Sequence, residues 1–415
     1  MTTLNLITFA SVFQEKTEEA IRLAHQELFD VLSTRYDVKV WFEENLSAFR
    51  PKQQDLTLLF IATGGTEGMV VRRYKELPHP LVFLTDGKAN SLAASMELSS
   101  WVRQQGDTCA ILHGSMDAIL SKLKMLEERK KMSGLRIGVI GEPSDWLVSS
   151  GVSYAKAREV WGVEYVDLDL QQVVQYYEEE TVTPTLQADV DAFLQRAQSC
   201  REPNREEVVK AMRLYRALRR LVQKNHLDAL TLQCFALIPT TCTTGCLALS
   251  LLNDEGIVAG CEGDMQSIFT MLLCKRLTGQ DTFMANPAFI DTEHDEVLFA
   301  HCTIGLHQCQ QYIVRSHFES QSGVAIQGIL PTGAVTVVKF GGRNLNEAFI
   351  CDGELIDNQD DERKCRTQVR IRLNRPGVGE HYFLSNNIGN HHIIIFGHHA
   401  HQLQTLCQSM GLKEK

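Results

Sequence analysis

Two acidic side chains in the sequence CEGD, Glu262 and Asp264, lie where an apolar strand passes into a helix. The run GIVAG precedes them and the helical run MQSIFTMLLCKRL follows. Carboxylates on such a loop can bind a hard cation such as Mg²⁺ or Mn²⁺, or transfer a proton. Asp264 also has a purely structural interpretation, because aspartate is a favoured N-cap residue. The spacing alone leaves both roles open.

A second chemically rich segment is NNIGNHHIIIFGHHAH, which holds five of the fourteen histidines. His391 and His398 flank the apolar run IIIF, which predicts a buried strand. Histidine supplies a neutral nitrogen ligand or an acid/base near neutral pH. Surface histidines or a tag are the alternatives, and the position inside an apolar strand argues against a tag.

The sequence FAHCTIG places His301 beside Cys302 at a strand end. Adjacent strand residues point to opposite faces, so this pair is weak evidence for a cysteine nucleophile. The twelve cysteines lie mostly in apolar runs, which favours free buried thiols. Cys242 and Cys246 in CTTGC lack a second pair at matching spacing, which disfavours a zinc site there.

The elements that must position these residues change in character along the chain. Strands alternate with helices up to about residue 290, which predicts parallel sheets with working loops at the carboxyl ends of the strands. Short strands separated by Gly, Asn and Asp turns follow, which indicates an antiparallel sheet or small barrel. We therefore predict an α/β fold with two Rossmann-like parallel-sheet domains, 1–132 and 133–290, and a β-rich C-terminal domain, 291–415.

Composition excludes several classes of function. The net charge of -10 argues against a nucleic-acid partner. The sequence contains no run of 18 apolar residues, so we predict no membrane span. The N-terminus has the pattern of a first strand and not of a signal peptide, so we expect a cytoplasmic protein. The loop GVIGEPSD is neither a Walker A loop nor GxGxxG, so no nucleotide cofactor is predicted; it has the character of a strand-end loop that can face a ligand.

Several segments together resemble the L-fucose/L-arabinose isomerase superfamily. CLALSLLNDEGIVAGCEGD, a helix and then VLFAHCTIG resemble its metal-site region, and NNIGNHHIIIFGH resembles the family pattern NWGANHGAITYGH. ILPTGAVTVVKFGG and AFICDGELI resemble its later barrel strands, while ATGGTEG and NSLAASMEL resemble its first α/β domain. The motif matches concentrate in residues 235–410.

The resemblance implies an aldose–ketose isomerase that works through an enediol with Mn²⁺ or another divalent ion such as Mg²⁺ or Co²⁺. By motif, Asp264 and His391 match the family's metal-binding aspartate and histidine. Glu262 is our third candidate ligand and the candidate acid/base beside Asp264. The candidates for substrate contact are His301, Lys339, Asn390 and His398.

The family's catalytic glutamate has no counterpart here. Its approximate place is IPTTCTTGC, where Thr240 and Thr241 stand instead. We therefore expect Glu262 to serve as base with a pKa raised by partial burial, and Cys242 is the one alternative base in that stretch. The rival function is a non-catalytic sugar-binding or regulatory protein that kept the fold.

The resemblance also implies a homo-oligomer, a trimer or hexamer, in which one subunit's first domain covers another's site. Thr66 and Glu67 in ATGGTEG are the expected covering residues, in contact with the sugar substrate.

Overall fold

The computed structural model describes residues 1–11, 15–52 and 54–415. Its strands are β1 Thr2–Phe9, β2 Tyr36–Phe42, β3 Leu56–Ile61, β4 Leu81–Leu84, β5 Cys109–Leu112, β6 Arg136–Ile140, β7 Glu164–Leu168, β8 Ser199–Cys200, β9 Ala229–Leu232, β10 Val258–Cys261, β11 Thr282–Asp291, β12 Glu296–His301, β13 Gln311–Arg315, β14 Ala325–Ile329, β15 Gly333–Gly341, β16 Glu347–Gln359, β17 Thr367–Leu373, β18 His392–Phe396 and β19 Lys413–Glu414. Its α-helices are α1 Glu18–Ala24, α2 Gln26–Ser33, α3 Glu67–Arg73, α4 Ser91–Gln104, α5 Met116–Lys130, α6 Tyr154–Lys156, α7 Leu170–Glu179, α8 Pro184–Arg196, α9 Arg205–Asn225, α10 Ile238–Thr241, α11 Cys246–Asp254, α12 Met265–Thr278 and α13 Ala400–Met410.

The chain forms two compact units. The first comprises Met1–Ser133, Glu159–Gly162 and His401–Lys413, and the second comprises Gly134–Arg158, Val163–Ala400 and Glu414–Lys415. The three domain ranges drawn from the sequence stay a prediction.

The first unit is built on a parallel sheet in the strand order β2-β1-β3-β4-β5. Its central strands are almost wholly buried, as expected of a parallel sheet with helices on its faces. Two helices follow β1, α1 and α2, which are separated at His25. The imidazole of His25 is buried and lies 2.7 Å from a carboxylate oxygen of Asp86.

The second unit contains a parallel sheet in the order β10-β9-β6-β7. Leu232 at the end of β9 pairs with Cys261 on one side and with Ile140 on the other. The carboxyl ends of β6, β9 and β10 therefore meet at one edge of the sheet. The apolar run ALTLQCFALI leaves the sheet after Leu232 and turns into a short 3-10 helix at Phe235–Leu237.

The same unit also contains a closed six-stranded antiparallel barrel, in which β15, β18, β11, β12, β17 and β16 pair in turn and β16 pairs back with β15. This confirms the α/β class with a β-rich, barrel-like C-terminal part. Strand pairing brings His301, Lys339 and His391 to one end of the barrel, because Ala300 pairs with Asn286, Ala285 with His392, and Val338 with Ile393.

Helix α12 connects the parallel sheet to the barrel. It begins where Asp264 caps its first turn and ends at Gly279, whose φ of 72° is the left-handed conformation typical of a helix end. Nearly every side chain of α12 is buried, against β10, β15 and β18. Among the described helices, none is by itself long and apolar enough to cross a bilayer, and one sharply bent pair, Phe235–Thr241 with Cys246–Asp254, meets the length and composition criteria only jointly.

Candidate functional site

The CEGD turn has an unusual backbone. Glu262 has a φ of 63°, which non-glycine residues seldom adopt, and Gly263 follows with a φ of 72°. A Cβ on Gly263 would lie 2.6 Å from the carbonyl oxygen of Glu142, so only glycine fits. The backbone nitrogen of Ser144 donates to the Glu262 carbonyl at 2.9 Å. The loop after β6 therefore holds the turn in a conformation that costs energy, as is common at functional sites.

The two carboxylate oxygens of Glu262 contact different neighbours. Trp146 Nε1 donates to Oε2 at 2.6 Å. Oε1 lies 3.6 Å from His391 Nε2 and 3.8 Å from His301 Nε2. Burial raises the pKa of Glu262, but its contacts with the two histidines outweigh burial and hold it well below the usual range. The raised pKa expected from the sequence is therefore wrong, because that expectation counted burial and not the imidazoles.

Asp264 is completely buried and binds three groups. Its Oδ1 accepts from the Ser267 backbone nitrogen at 2.8 Å, which is the helix cap. Its Oδ2 accepts from Ser267 Oγ at 2.7 Å and from His391 Nδ1 at 2.9 Å. Burial raises the pKa of Asp264, but Lys339 and His391 outweigh it and hold the pKa well below normal. The capping role is thus present together with the contact to His391.

The two ring nitrogens of His391 have different surroundings. With Nδ1 bound to Asp264, the buried Nε2 faces Glu262 and makes no hydrogen bond within the described part of the chain. Burial lowers the pKa of His391, but Asp264 and Glu262 raise it to about 9. With its Nδ1 held by a carboxylate, His391 would offer the Nε2 lone pair to a cation that displaces the Nε2 proton, which is the arrangement typical of metal-binding histidines.

His301 completes a compact group with Glu262 and His391. One ligand atom from each of the three lies within 4.8 Å of the others. His301 is buried, and its Nδ1 lies 3.0 Å from Thr303 Oγ1, which leaves Nε2 towards Glu262. Two imidazoles and a carboxylate suit Mn²⁺, Co²⁺ or a similar transition ion better than Mg²⁺, which prefers oxygen ligands. The donor set thus fits a divalent transition ion.

A small cavity of about 20 Å³ adjoins this group. Glu262 and His301 line it, and Phe235 and Ile238 contribute apolar surface. This volume accommodates an ion or about one water molecule.

Lys339 lies within the protein and not on the cavity wall. Its ammonium is 1% exposed, donates to Ser267 Oγ at 2.9 Å and lies 3.6 Å from Asp264 Oδ2. Burial lowers the pKa of Lys339, and Asp264 opposes that shift. Its visible role is to balance the charge of Asp264.

Asn390 and His398 lie at opposite ends of β18. Asn390 is exposed, and its carbonyl accepts from Nδ1 of the neighbouring His392 at 2.8 Å. His398 is exposed beyond the far end of β18, with Nε2 3.4 Å from Glu354 Oε1. The structure therefore does not bring His398 to the end of the barrel where His391 lies.

Thr66 and Glu67 belong to the first unit. Thr66 is buried and its hydroxyl donates to the Thr63 carbonyl at 3.0 Å, while Glu67 begins α3. Their proposed contact with substrate stays a prediction.

The stretch that replaces the family's glutamate offers no ligand or base to the cluster. Thr240 is exposed, and the buried Thr241 hydroxyl donates to the Leu237 carbonyl at 2.9 Å. Cys242 is exposed and does not line the cavity. Instead, Ile238 from this stretch contributes an apolar wall.

Trp146 is a site residue that we missed in the sequence. The loop GVIGEPSDWLV was recognised as one that can face a ligand. The available signal was the tryptophan near its end, because an exposed tryptophan carries an indole N–H that can donate to a partner. Its pairing with Glu262, 116 residues away, depends on the alignment of β6 with β10 through β9.

A larger groove, of about 750 Å³, lies beside α8 and α9. Three of its arginines are paired with acidic side chains: Arg216–Asp189 at 2.8 Å, Arg219–Glu255 at 3.0 Å and Arg220–Glu179 at 2.6 Å. These three positive charges are therefore balanced within the protein.

Comparison with known proteins identifies several curated relatives. The chain is 23% identical over 269 residues to a sulfoquinovose isomerase of Priestia aryabhattai, covering 61% of this chain and 59% of that protein. It is 24% identical over 307 residues to one of Alkalicoccus urumqiensis (69% and 67% covered), and 26% identical over 253 residues to one of Clostridium sp. strain MSTE9 (57% and 54% covered). The chain thus matches 59% of the length of the first of these relatives.

No family profile matches the chain. A solved structure, D-threo-3-hydroxyaspartate dehydratase from Delftia sp. HT23, aligns over 98% of this chain and 85% of its own at 13% identity, but the TM-score of 0.14 gives no support for a shared fold. The curated similarities suggest a sugar isomerase family, in agreement with the L-fucose/L-arabinose resemblance of the motifs.

Proposed function

We propose that this protein is a metal-dependent aldose–ketose isomerase whose ion is held by Glu262, His301 and His391. The observation that carries the proposal is His391, whose buried Nε2 faces Glu262 without a hydrogen bond while Asp264 fixes Nδ1. Curated relatives named sulfoquinovose isomerase support a carbohydrate as substrate. This ligand set differs from the expected one, since Asp264 acts through His391 and His301 takes its place.

The chemistry divides among these groups in a definite way. A divalent ion polarises the carbonyl and hydroxyl oxygens of an open-chain sugar. Asp264 keeps His391 in the tautomer whose Nε2 lone pair faces the cluster. Trp146 fixes one oxygen of Glu262, which leaves the other towards the two histidines.

Isomerisation also requires a proton to move between adjacent carbons. The depressed pKa of Glu262 makes it a weak base by itself. His301 has no nitrogen left to carry a proton, because its Nε2 is assigned to the ion and its Nδ1 lies 3.0 Å from Thr303 Oγ1. We therefore assign proton transfer to Glu262, since an ion that polarises the sugar carbonyl would acidify the neighbouring C–H enough for a weak base to act.

The test is isomerisation in D₂O. Chelator-treated protein is reconstituted with Mn²⁺ and incubated with sulfoquinovose and with unsubstituted aldoses, and NMR follows ketose formation and deuterium incorporation at C1 of the ketose. We expect both signals from the native protein, their loss in Glu262→Gln, and their retention in the control Cys242→Ser, whose thiol is exposed outside the cavity.

A second candidate function, non-catalytic sugar binding, is favoured by one observation: the stretch around Thr240 carries no carboxylate. Calorimetric binding of a sugar without any deuterium incorporation, under every divalent ion tried, would establish that function and reject the isomerase. Full activity in Glu262→Gln would reject the site.

A further inference from the structure

A second cluster of potential ligands lies on the other side of the same cavity. Cys246, Cys302 and His317 are all buried, and one ligand atom from each lies within 4.8 Å of the others. Cys365 packs against the two cysteines and its thiol is in hydrogen-bonding contact with that of Cys302. All four residues line the cavity. We call this group the thiol cluster.

The four side chains come from four separate elements. Cys246 is the first residue of α11, Cys302 follows β12, His317 follows β13 and Cys365 precedes β17. Since the nearest pair in sequence is 15 residues apart, no short motif signals the cluster, and the CTTGC spacing pairs Cys246 with the wrong partner.

The His317 loop is held firmly in place. His317 exchanges backbone hydrogen bonds with Ser322 and Gln321 at 3.0 and 2.9 Å. Gly323 directly follows Ser322, and a Cβ on it would lie 2.6 Å from the backbone nitrogen of Thr244. The loop therefore packs directly on the turn before Cys246. The ligand atoms are therefore fixed by backbone contacts and not by their own attraction.

The surroundings of the donors are those of a metal site. His317 Nδ1 accepts from the Ser320 backbone nitrogen at 3.3 Å and lies 3.1 Å from Ser320 Oγ, so the loop holds the imidazole in place. The backbone nitrogen of Arg366 donates to Cys302 Sγ at 3.5 Å, a contact that stabilises a thiolate. Ordinary thiol packing, as for Cys274 within α12, requires neither an imidazole nor such a donor.

We propose that the thiol cluster binds one Zn²⁺ ion, with Cys246, Cys302 and His317 as ligands and Cys365 as the fourth. Thiolate sulfur and imidazole nitrogen are the preferred donors of zinc, and three cysteines with one histidine form a common closed tetrahedral set. The ligand atoms of Cys246, Cys302 and His317 lie within 4.8 Å of one another, so one ion with bonds of about 2.3 Å to sulfur and 2.0 Å to nitrogen is within reach of all three. Each thiol releases its proton to solvent on binding, so loading releases up to three protons per ion.

A zinc ion in the thiol cluster would also affect the group formed by Glu262, His301 and His391. Cys302 directly follows His301, and the two side chains belong to opposite clusters. Zinc on Cys302 would fix the strand end that presents His301 to Glu262. The zinc proposal itself rests on the thiol cluster and is independent of the proposed isomerase activity.

The test is metal content together with cobalt spectroscopy. Protein loaded with Zn²⁺ and dialysed should retain one equivalent at the thiol cluster, in addition to any ion held by Glu262, His301 and His391, and the Co²⁺-loaded protein should show thiolate-to-cobalt charge-transfer absorption. Cys246→Ser and Cys302→Ser should lower the zinc content by about one equivalent and abolish the thiolate-to-cobalt absorption. Cys365→Ser, at a partly exposed and structurally safer position, should weaken zinc binding by at least about tenfold, since losing a ligand costs no less than losing an outer-shell partner.

Two controls separate this site from its neighbour. Cys242→Ser removes an exposed thiol four residues from Cys246 and should leave zinc content unchanged. Glu262→Gln should also retain the zinc and the cobalt thiolate bands. Failure of the native protein to retain zinc, or zinc that persists in correctly folded Cys302→Ser but is lost in Glu262→Gln, would overturn the proposal.

Discussion

The buried pair of Asp264 and Lys339 offers a sharp test of how the site is held together. Both side chains are 1% exposed, and their charged atoms lie 3.6 Å apart. Asp264→Asn keeps an oxygen that can accept from the Ser267 backbone, so the helix cap survives, but it leaves the Lys339 ammonium buried without a counter-charge. Removing one partner of a buried ion pair typically costs about 3–5 kcal/mol of unfolding free energy.

A double-mutant cycle isolates this effect. Lys339→Met removes the buried ammonium with little change of shape, so Asp264→Asn combined with Lys339→Met should be more stable than Asp264→Asn alone. We expect a coupling energy of about 2–3 kcal/mol between the two substitutions, in the range measured for residues in direct contact.

The assay is urea unfolding of chelator-treated protein near neutral pH. Pulse proteolysis at each urea concentration monitors the unfolding, so that unfolding of the second unit is detected directly. A single Asp264→Asn variant as stable as the native protein would show that Lys339 does not depend on Asp264. Strictly additive substitutions would refute the ion pair.

Three further predictions follow from particular contacts. His391 has a pKa of about 9 in the folded protein, against an ordinary value of 6.5. Its charged form therefore stabilises the metal-free protein fully below about pH 6.5, and this stabilisation disappears as the pH rises through 9. Between about pH 6 and pH 10 the native protein should lose about 3 kcal/mol more unfolding free energy than His391→Gln; equal losses in urea titrations would contradict the assignment. Gly263→Ala should destabilise the protein by at least about 1–2 kcal/mol, because its φ of 72° is left-handed and its Cβ would strike the Glu142 backbone; an unchanged thermal midpoint would contradict this. Light scattering at micromolar concentration should show a trimer or hexamer, and a monomer would refute the covering role expected of Thr66 and Glu67.

Much of the fold could be predicted because it follows from local patterns. Short apolar runs ending in turn residues gave the strands of the first sheet, and the change to closely spaced strands after residue 290 gave the antiparallel barrel. The capping role of Asp264 was also accessible, since a cap depends on residues only three positions away. The resemblance of the CEGD and NNIGNHH segments predicted that Asp264 and His391 meet, and their atoms are 2.9 Å apart.

The division of labour within the site depended on tertiary structure. Sequence spacing cannot specify which ring nitrogen of His391 faces Asp264; in the structure it is Nδ1, which leaves Nε2 towards Glu262. Sequence spacing also cannot show that His301 and His391 flank Glu262. Their contacts lower the pKa of Glu262, whereas burial by itself would raise it.

The thiol cluster illustrates the same limit more strongly. Cys246, Cys302 and His317 were visible as residue types, but the nearest two are 15 residues apart and each follows or begins a different element. Strand pairing and close backbone packing, such as Gly323 against Thr244, bring them together. The sequence by itself determines which elements form and which donors they carry; only closure of the barrel against α11 and α12 decides which donors meet, because that closure depends on contacts between residues far apart in the chain.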